Sequence, residues 1–314
     1  MAISHTKFSK TNHEDAIARE LNWLLTADPL WSSATNHDCV PLKKICKGSV
    51  EEIAKNLSNE WAWYGAPRRL GRRFESLLTA MLEQSDACKL LKHGLVVRDN
   101  KQTIGEIDYL IKLPDSVLHL EVAIKFYAGV GQPGDPASTI LWIGPSCRDR
   151  LDRKINHLLN HQLKLCSTEF GRRALSLSNL PLPQSSLGLI YGYLIQPWQQ
   201  INEIPQQTKQ VRRAFWTTHS EALAAMRHLS RPYSTEYGWT LIERDQWIAP
   251  HFGNSQLPQV PKAIDPPVQA DCYALQPKRS AGEEKLRLFV MQDAFTKLAR
   301  LDVNNALGGD TDEQ

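Results

Sequence analysis

The sequence predicts an α/β fold, a mixed sheet flanked by helices, with an N-terminal helical extension and a C-terminal α/β extension. Three observations predict it. Apolar residues recur at helical spacing in the first part of the chain. Three strand-like runs follow one another between residues 94 and 128. A helical stretch then separates the third run from an almost wholly apolar run at residues 187–195. The order over residues 67–197 is therefore α-β-β-β-α-β, and the helix after the third strand implies a right-handed crossover.

The first helix is expected over residues 14–25, where Ile17, Leu21, Leu24 and Leu25 form one stripe. Thr11 or Asn12 is its expected cap, and Asp28-Pro29 stops it. A second helix starts at Ser49, since Ser49-Val50-Glu51-Glu52 has the pattern of a capping box. Pro67 opens the next helix, expected to reach Gln84, with Phe74, Leu77, Leu78 and Met81 facing the core. Arg68, Arg69, Arg72 and Arg73 crowd its first turns, the end where the helix dipole opposes cations. They invite an anionic partner or acidic neighbours.

The strand runs are residues 94–98, 103–113 and 117–128, and Pro114-Asp115-Ser116 supplies the turn between the last two. A long loop at residues 129–146 leads to a helix expected over 148–166. Beyond the buried strand, residues 214–218 and 239–247 read as strands and 220–228 as a short helix. Residues 249–268 are Pro-rich and aperiodic, so an extended arm is expected there. A final helix is expected over 282–300, followed by an acidic tail. The divisions are 1–65, a helical extension; 66–200, the core; 201–250, an α/β extension; and 251–314, the arm, last helix and tail.

Composition is that of an ordinary globular chain, 42% hydrophobic and 23% charged, with a net charge of only +3. Charge is distributed unevenly: residues 66–173 hold 17 Lys or Arg against 12 Asp or Glu, so any polyanion would meet its cations there. None of the six cysteines forms a CxxC pair, which argues against zinc and for free thiols in a reducing compartment. The N-terminal residues lack the apolar run of a signal peptide, and no stretch has the length of a membrane span, so a cytoplasmic location is expected.

The chemistry is expected on the second and third strands. Glu106 and Asp108 share one face of the second strand, and His119, Glu121, Ala123 and Lys125 share one face of the third. A turn centred on Asp115 and Ser116 sets Asp108 opposite Ala123, with Glu121 and Lys125 as diagonal neighbours. Converging carboxylates repel unless a proton or cation lies between them, and a hard divalent cation is the natural occupant. The bland alternative is an ion-pair network of Asp108, Glu121 and Lys125.

These residues resemble the PD-(D/E)XK nuclease superfamily. Gly105-Glu106-Ile107-Asp108 looks like its second-strand motif and Glu121-Val122-Ala123-Ile124-Lys125 like its third, while Glu75 matches the acid often found on the first core helix. The segments LGRRFE, GEIDYL, HLEVAIKFY and RDRLDRKINHLLNHQL are similar to a bacterial family designated domain of unknown function 1853, roughly from the first helix to Trp247. The superfamily resemblance implies a restriction-endonuclease-like core and Mg²⁺- or Mn²⁺-dependent cleavage of DNA or RNA. Asp108, Glu121 and Glu75 would be metal ligands and Lys125 would assist the attacking water. Arg68, Arg72, Arg150 and Lys154 are candidate phosphate contacts. One departure stands: Ala123 occupies the position where the superfamily has lysine, and Lys125 lies one pleat further along. A catalytically inactive nucleic-acid- or protein-binding module is the alternative.

Two further patterns carry less. Gly129-Val130-Gly131-Gln132-Pro133-Gly134 has dinucleotide-fingerprint spacing, but Pro133 and Pro136 block the helix it requires. His157 and His161 have zinc spacing without the glutamate of a metalloprotease, so a structural or phosphate-facing pair is expected.

Overall fold

The computed structural model describes residues 10–34, 42–130, 139–203, 214–255 and 261–307. Its helices are α1 (Lys10–Thr26), α2 (Leu42–Ile45), α3 (Val50–Tyr64), α4 (Leu70–Glu83), α5 (Leu151–Asn160), α6 (Glu169–Leu177), α7 (Ala222–Ser230) and α8 (Phe295–Ala306). Its strands are β1 (Trp31–Ser32), β2 (Lys89–Asp99), β3 (Gln102–Lys112), β4 (Val117–Gly129), β5 (Trp142–Ile143) and β6 (Ser185–Pro197). They continue with β7 (Ala214–Thr218), β8 (Tyr237–Ile242), β9 (Phe252–Gly253), β10 (Ala270–Pro277), β11 (Gly282–Glu283) and β12 (Arg287–Met291). The chain forms two compact units: Met1–Ala123 with Gln162–Leu189, and Ile124–His161 with Ile190–Gln314. Each unit thus draws on two stretches of sequence. No helix among the described residues is long and apolar enough to cross a membrane.

In the first unit, α1, α3 and α4 pack together, α1 and α4 through the stripes read from the sequence. Ile17, Leu21 and Leu24 of α1, Ile53, Leu57 and Trp61 of α3, and Phe74, Leu77, Leu78 and Met81 of α4 are all buried. Ser49 caps α3, its side chain accepting the Glu52 N–H at 3.2 Å. Helix α1 starts at Lys10, so Thr11 and Asn12 lie within it and do not cap it. Helix α4 starts three residues later than expected, which leaves Arg68 and Arg69 on the connection before it. Arg73 is buried beside Glu20, with Nε 2.9 and 3.0 Å from the two carboxylate oxygens, and its guanidinium lies 4.5 Å from the Trp61 ring centre. That pairing ties α1, α3 and α4 together, and a buried arginine requires it.

The same unit holds the antiparallel meander of β2, β3 and the first part of β4. Asn100, with φ +51°, takes the left-handed position of the two-residue β2–β3 turn, which asparagine tolerates. The expected helix over 148–166 breaks at His161: α5 ends at Asn160, and a 3₁₀ turn (Gln162–Ser167) leads into α6. Leu165, Cys166 and Leu175 of this segment pack on Val97, Ile107, Leu110 and Val117 of the meander. Gly171 permits the fold-back, because a Cβ there would lie 1.9 Å from the Leu165 carbonyl oxygen.

The second unit contains a mixed sheet. The latter part of β6 pairs parallel with β7, β7 parallel with β12, and β12 and β8 antiparallel with β10. Helix α7 covers one face through Ala222, Ala225, Met226 and Leu229, which meet Phe215, Trp239, Leu275, Leu288 and Val290. The final helix expected over 282–300 is instead β11, β12 and the start of α8, and β10 was not anticipated. The physical reason is that residues 286–291 are buried on both faces and, Arg287 apart, apolar, so the period of the run is ambiguous. Nor are residues 249–255 a free arm. Ser255 donates its N–H to the Pro277 carbonyl and its hydroxyl to that of Trp239, both at 2.8 Å. The tail at 310–313 and most of the glycine-rich loop, residues 131–134 included, lie outside the described residues.

Candidate active site

The β3–β4 hairpin closes on Pro114 and Asp115, with Leu113 N–H bonded to Ser116 C=O at 2.8 Å. Proline's fixed φ suits the first central position of a turn, so the turn sits one residue earlier than expected. The register runs Lys112 opposite Val117, Leu110 opposite His119 and Tyr109 opposite Leu120. Carried one step beyond its last pair, this register sets Asp108 across from Glu121. This replaces the expected pairing of Asp108 with Ala123, while the shift of two residues keeps both acids on one face.

At this pair, side-chain oxygens stand in for backbone acceptors. Asp108 N–H donates to Glu121 Oε1, and Val122 N–H donates to Asp108 Oδ2, each at 3.2 Å. Each acid is thereby anchored to the other's strand. Glu121 is fully buried. Its Oε1 lies 2.8 Å from His119 Nε2, and its Oε2 accepts from Gln162 Nε2 at 2.6 Å. A carboxylate accepts, so the Nε2 of His119 carries a proton; its Nδ1 lies 3.3 Å from Ser186 Oγ. The Cys166 thiol is pushed up to about 12, first by burial and next by the charge of Glu121.

The other expected residues fall elsewhere. Glu75 lies on α4, with its carboxylate 3.5 Å from Arg72 and its backbone carbonyl accepting from the Tyr109 hydroxyl at 3.2 Å. Tyr109 and Asp108 are neighbours on a strand and point to opposite faces, so α4 covers the face away from the acid pair. Burial holds the Tyr109 hydroxyl well above the usual tyrosine range. Lys125 belongs to the second unit, where its ammonium lies 2.5 Å from Asp149 and Tyr127 donates to the same oxygen at 3.3 Å. Arg150 is buried and spends its guanidinium on Asp152 and Asp302, so it is not a phosphate contact as the sequence suggested. Lys154 is half-buried, whereas Arg68 and Arg72 are exposed. Glu106 is exposed and lies beside Gly94. His157 and His161 stack at 5.0 Å between ring centres.

The donor set on the acid face is therefore Asp108 and Glu121, oriented by Gln162 and His119. Among the described residues no group of three or more His, Cys, Asp or Glu is arranged to hold a metal ion. The pair alone still suits a hard cation of the Mg²⁺ kind, which typically takes one or two carboxylates and fills its other positions with water and substrate oxygens. Ser186 and the bonding of His119 were missed from the sequence, whereas Gln162, one turn after Leu158, was legible there as able to point toward the site. Of His119, only the face it shares with Glu121 was visible there.

A family model described as Domain of unknown function (DUF1853) matches residues 19–291. The chain belongs to the DUF1853 family. The match extends past Trp247, the limit of the resemblance read from the sequence, and takes in β10 and β12 of the DUF1853 chain. No curated protein and no solved structure matches it.

Proposed function

We propose that this DUF1853 protein is a metal-dependent phosphodiesterase acting on nucleic acid, built on a restriction-endonuclease-like core. The observation that carries this reading is the mutual anchoring of Asp108 and Glu121, each held by a backbone amide of the facing strand. Their anchored oxygens would hold Mg²⁺ or Mn²⁺. Gln162 and His119 would orient Glu121, as outer-shell partners orient ligating carboxylates. Such an ion would make a bound water more acidic and offset charge on a phosphodiester. Glu75 and Lys125 have no direct part in this version of the site. The test is cleavage of labelled DNA and RNA with Mg²⁺, with Mn²⁺ and with EDTA, comparing the native chain with Asp108→Asn and Glu121→Gln. Cleavage that needs the metal and disappears in both variants supports the reading; cleavage retained in either overturns the assignment.

One observation favours a second reading, an inactive module on the same scaffold. The lysine nearest the motif is neutralised by Asp149, and each oxygen of Glu121 already accepts a protein hydrogen bond. Binding of nucleic acid without cleavage in any metal would select it.

A further inference from the structure

The corner between α3 and α4 departs from the usual partition of aromatic side chains. Trp61, Trp63 and Tyr64 end α3; Trp61 is buried, while Trp63 is 86% and Tyr64 88% exposed. Gly65, with φ +84°, terminates the helix, and its N–H bonds to the Trp61 carbonyl at 2.9 Å. Arg68 and Arg69 follow on the connection and Arg72 on the first turn of α4, all exposed. From Trp61 to Phe74 the chain has four arginines and no acidic residue. Arg73 is spent inward on Glu20 and Arg72 pairs with Glu75. Among the described residues Arg68 and Arg69 have no ion-pair partner. Beneath the surface, the Arg73 guanidinium over Trp61 and the Glu20 pairing fix the ends of both helices, so the corner is a built platform.

Two fully presented π-faces next to unpaired guanidiniums have a specific chemical complement. Leaving a large indole and a phenol in water forgoes the stabilisation that burial gives elsewhere in the chain. The arginines favour a polyanion, and their position at the positive end of α4 adds to the charge an anion would neutralise. Bases locked in a duplex are stacked on one another and offer only their edges, whereas unpaired bases offer faces that stack on aromatic side chains. We infer that the α3–α4 corner is a single-strand nucleic-acid platform, with Trp63 and Tyr64 stacking bases and Arg68 and Arg69 contacting the phosphates. This deepens the phosphodiesterase reading by naming an unpaired strand as the substrate class, and it rests on that reading only for the choice of chemistry.

The test measures binding apart from cleavage. The full chain is titrated in EDTA against fluorescein-labelled oligothymidylate and oligouridylate of about twenty nucleotides, longer than the 4–16 that single-strand sites commonly span, and against a duplex of equal length. Trp63→Ala and Tyr64→Ala should each weaken single-strand binding by about 5- to 150-fold and leave duplex binding nearly unchanged. Trp63→Phe, which keeps a stacking face, should recover much of the loss. Arg68→Ala with Arg69→Ala should lower the slope of log affinity against log salt by about 1.4. Both aromatics are exposed, so unchanged melting curves would confirm that the variants fold. Native affinity in the Trp63→Ala/Tyr64→Ala variant overturns the platform, as does equal loss for duplex. So does a patch that mediates self-association or binding to anionic phosphatidylglycerol vesicles without binding the oligonucleotide. If the native chain cleaves but the platform variants bind normally, the platform alone fails. If it binds through the platform but cleaves nothing, the phosphodiesterase reading fails and the platform stands.

Discussion

Replacing Glu121 tests the acid pair as a physical object, independently of any reaction. Glu121 is fully buried and accepts from His119 at 2.8 Å, Gln162 at 2.6 Å and the Asp108 amide at 3.2 Å. Hydrogen bonds to a charged acceptor contribute about 1.5–3 kcal/mol each, against about 0.5–1.5 for neutral ones. Glu121→Gln keeps the shape, and Gln162 can turn its amide over to restore one bond. The weakening of three bonds, partly offset by the lower cost of burying a neutral group, comes to about 2–3 kcal/mol. Glu121→Ala leaves three donors without an acceptor, at about 1–3 kcal/mol each, and opens a cavity, for about 4–8 kcal/mol in all. At about 2–4 °C per kcal/mol for a cooperative unit of this size, differential scanning fluorimetry should show a fall of about 5–10 °C for the glutamine and at least twice that for the alanine. An unchanged or raised melting temperature in Glu121→Ala would refute the claim that the local hydrogen bonds hold this carboxylate. It would indicate a strained group kept at the expense of stability.

Three further outcomes follow from packing and charge. Arg73→Met removes the ion pair of the buried Glu20 carboxylate and should cost about 3–5 kcal/mol by urea denaturation, with much of it recovered in Arg73→Met/Glu20→Leu. Gly192→Ala should abolish soluble expression, because φ is +126° and the new Cβ would sit 1.7 Å from the Lys125 carbonyl oxygen. Burial alone would raise the Asp152 carboxyl, but the hydrogen bonds and charge of Arg150, with help from Arg153, hold it below its ordinary value of 3.8. The unfolded chain then binds the extra proton first, so this stabilisation is present above that value and is lost as pH falls through the lower folded value. Melting scans from neutral to strongly acidic pH should show a shallower acid-side decline in Asp152→Asn than in the native chain.

The features legible in the sequence were those with a short physical range. The α4 stripe, the Ser49 cap and the β3–β4 hairpin follow from local periodicity and turn chemistry, and each appears within a few residues of its expected position. The exact pairing of Asp108 with Glu121 depended on which residue of Pro114-Asp115-Ser116 leads the turn, and a one-residue shift there moves every partner. The bond of Gln162 to Glu121 was undecided in the sequence because the helical pattern runs on past Asn160, whereas the chain turns at His161, and no local signal marks that break. Residues 286–291 are buried on both faces and apolar apart from Arg287, so alternation could not distinguish strand from helix. Trp61 and Trp63 are two residues apart and chemically alike. Only tertiary packing decides that one is core and the other faces water.

The interleaving of the two units has a consequence for biosynthesis. The first unit lacks α6 and its share of β6 until Leu189 has left the ribosome, and by then Ile124–His161 has already emerged without the rest of β6, the strand that β4 neighbours. At ordinary elongation rates, residues 190–314 take roughly 6–25 s more to appear. During that interval the exposed apolar edge of the nascent chain is a natural client for a holding chaperone. Division at any single peptide bond would leave at least one unit incomplete, so this protein must be studied whole.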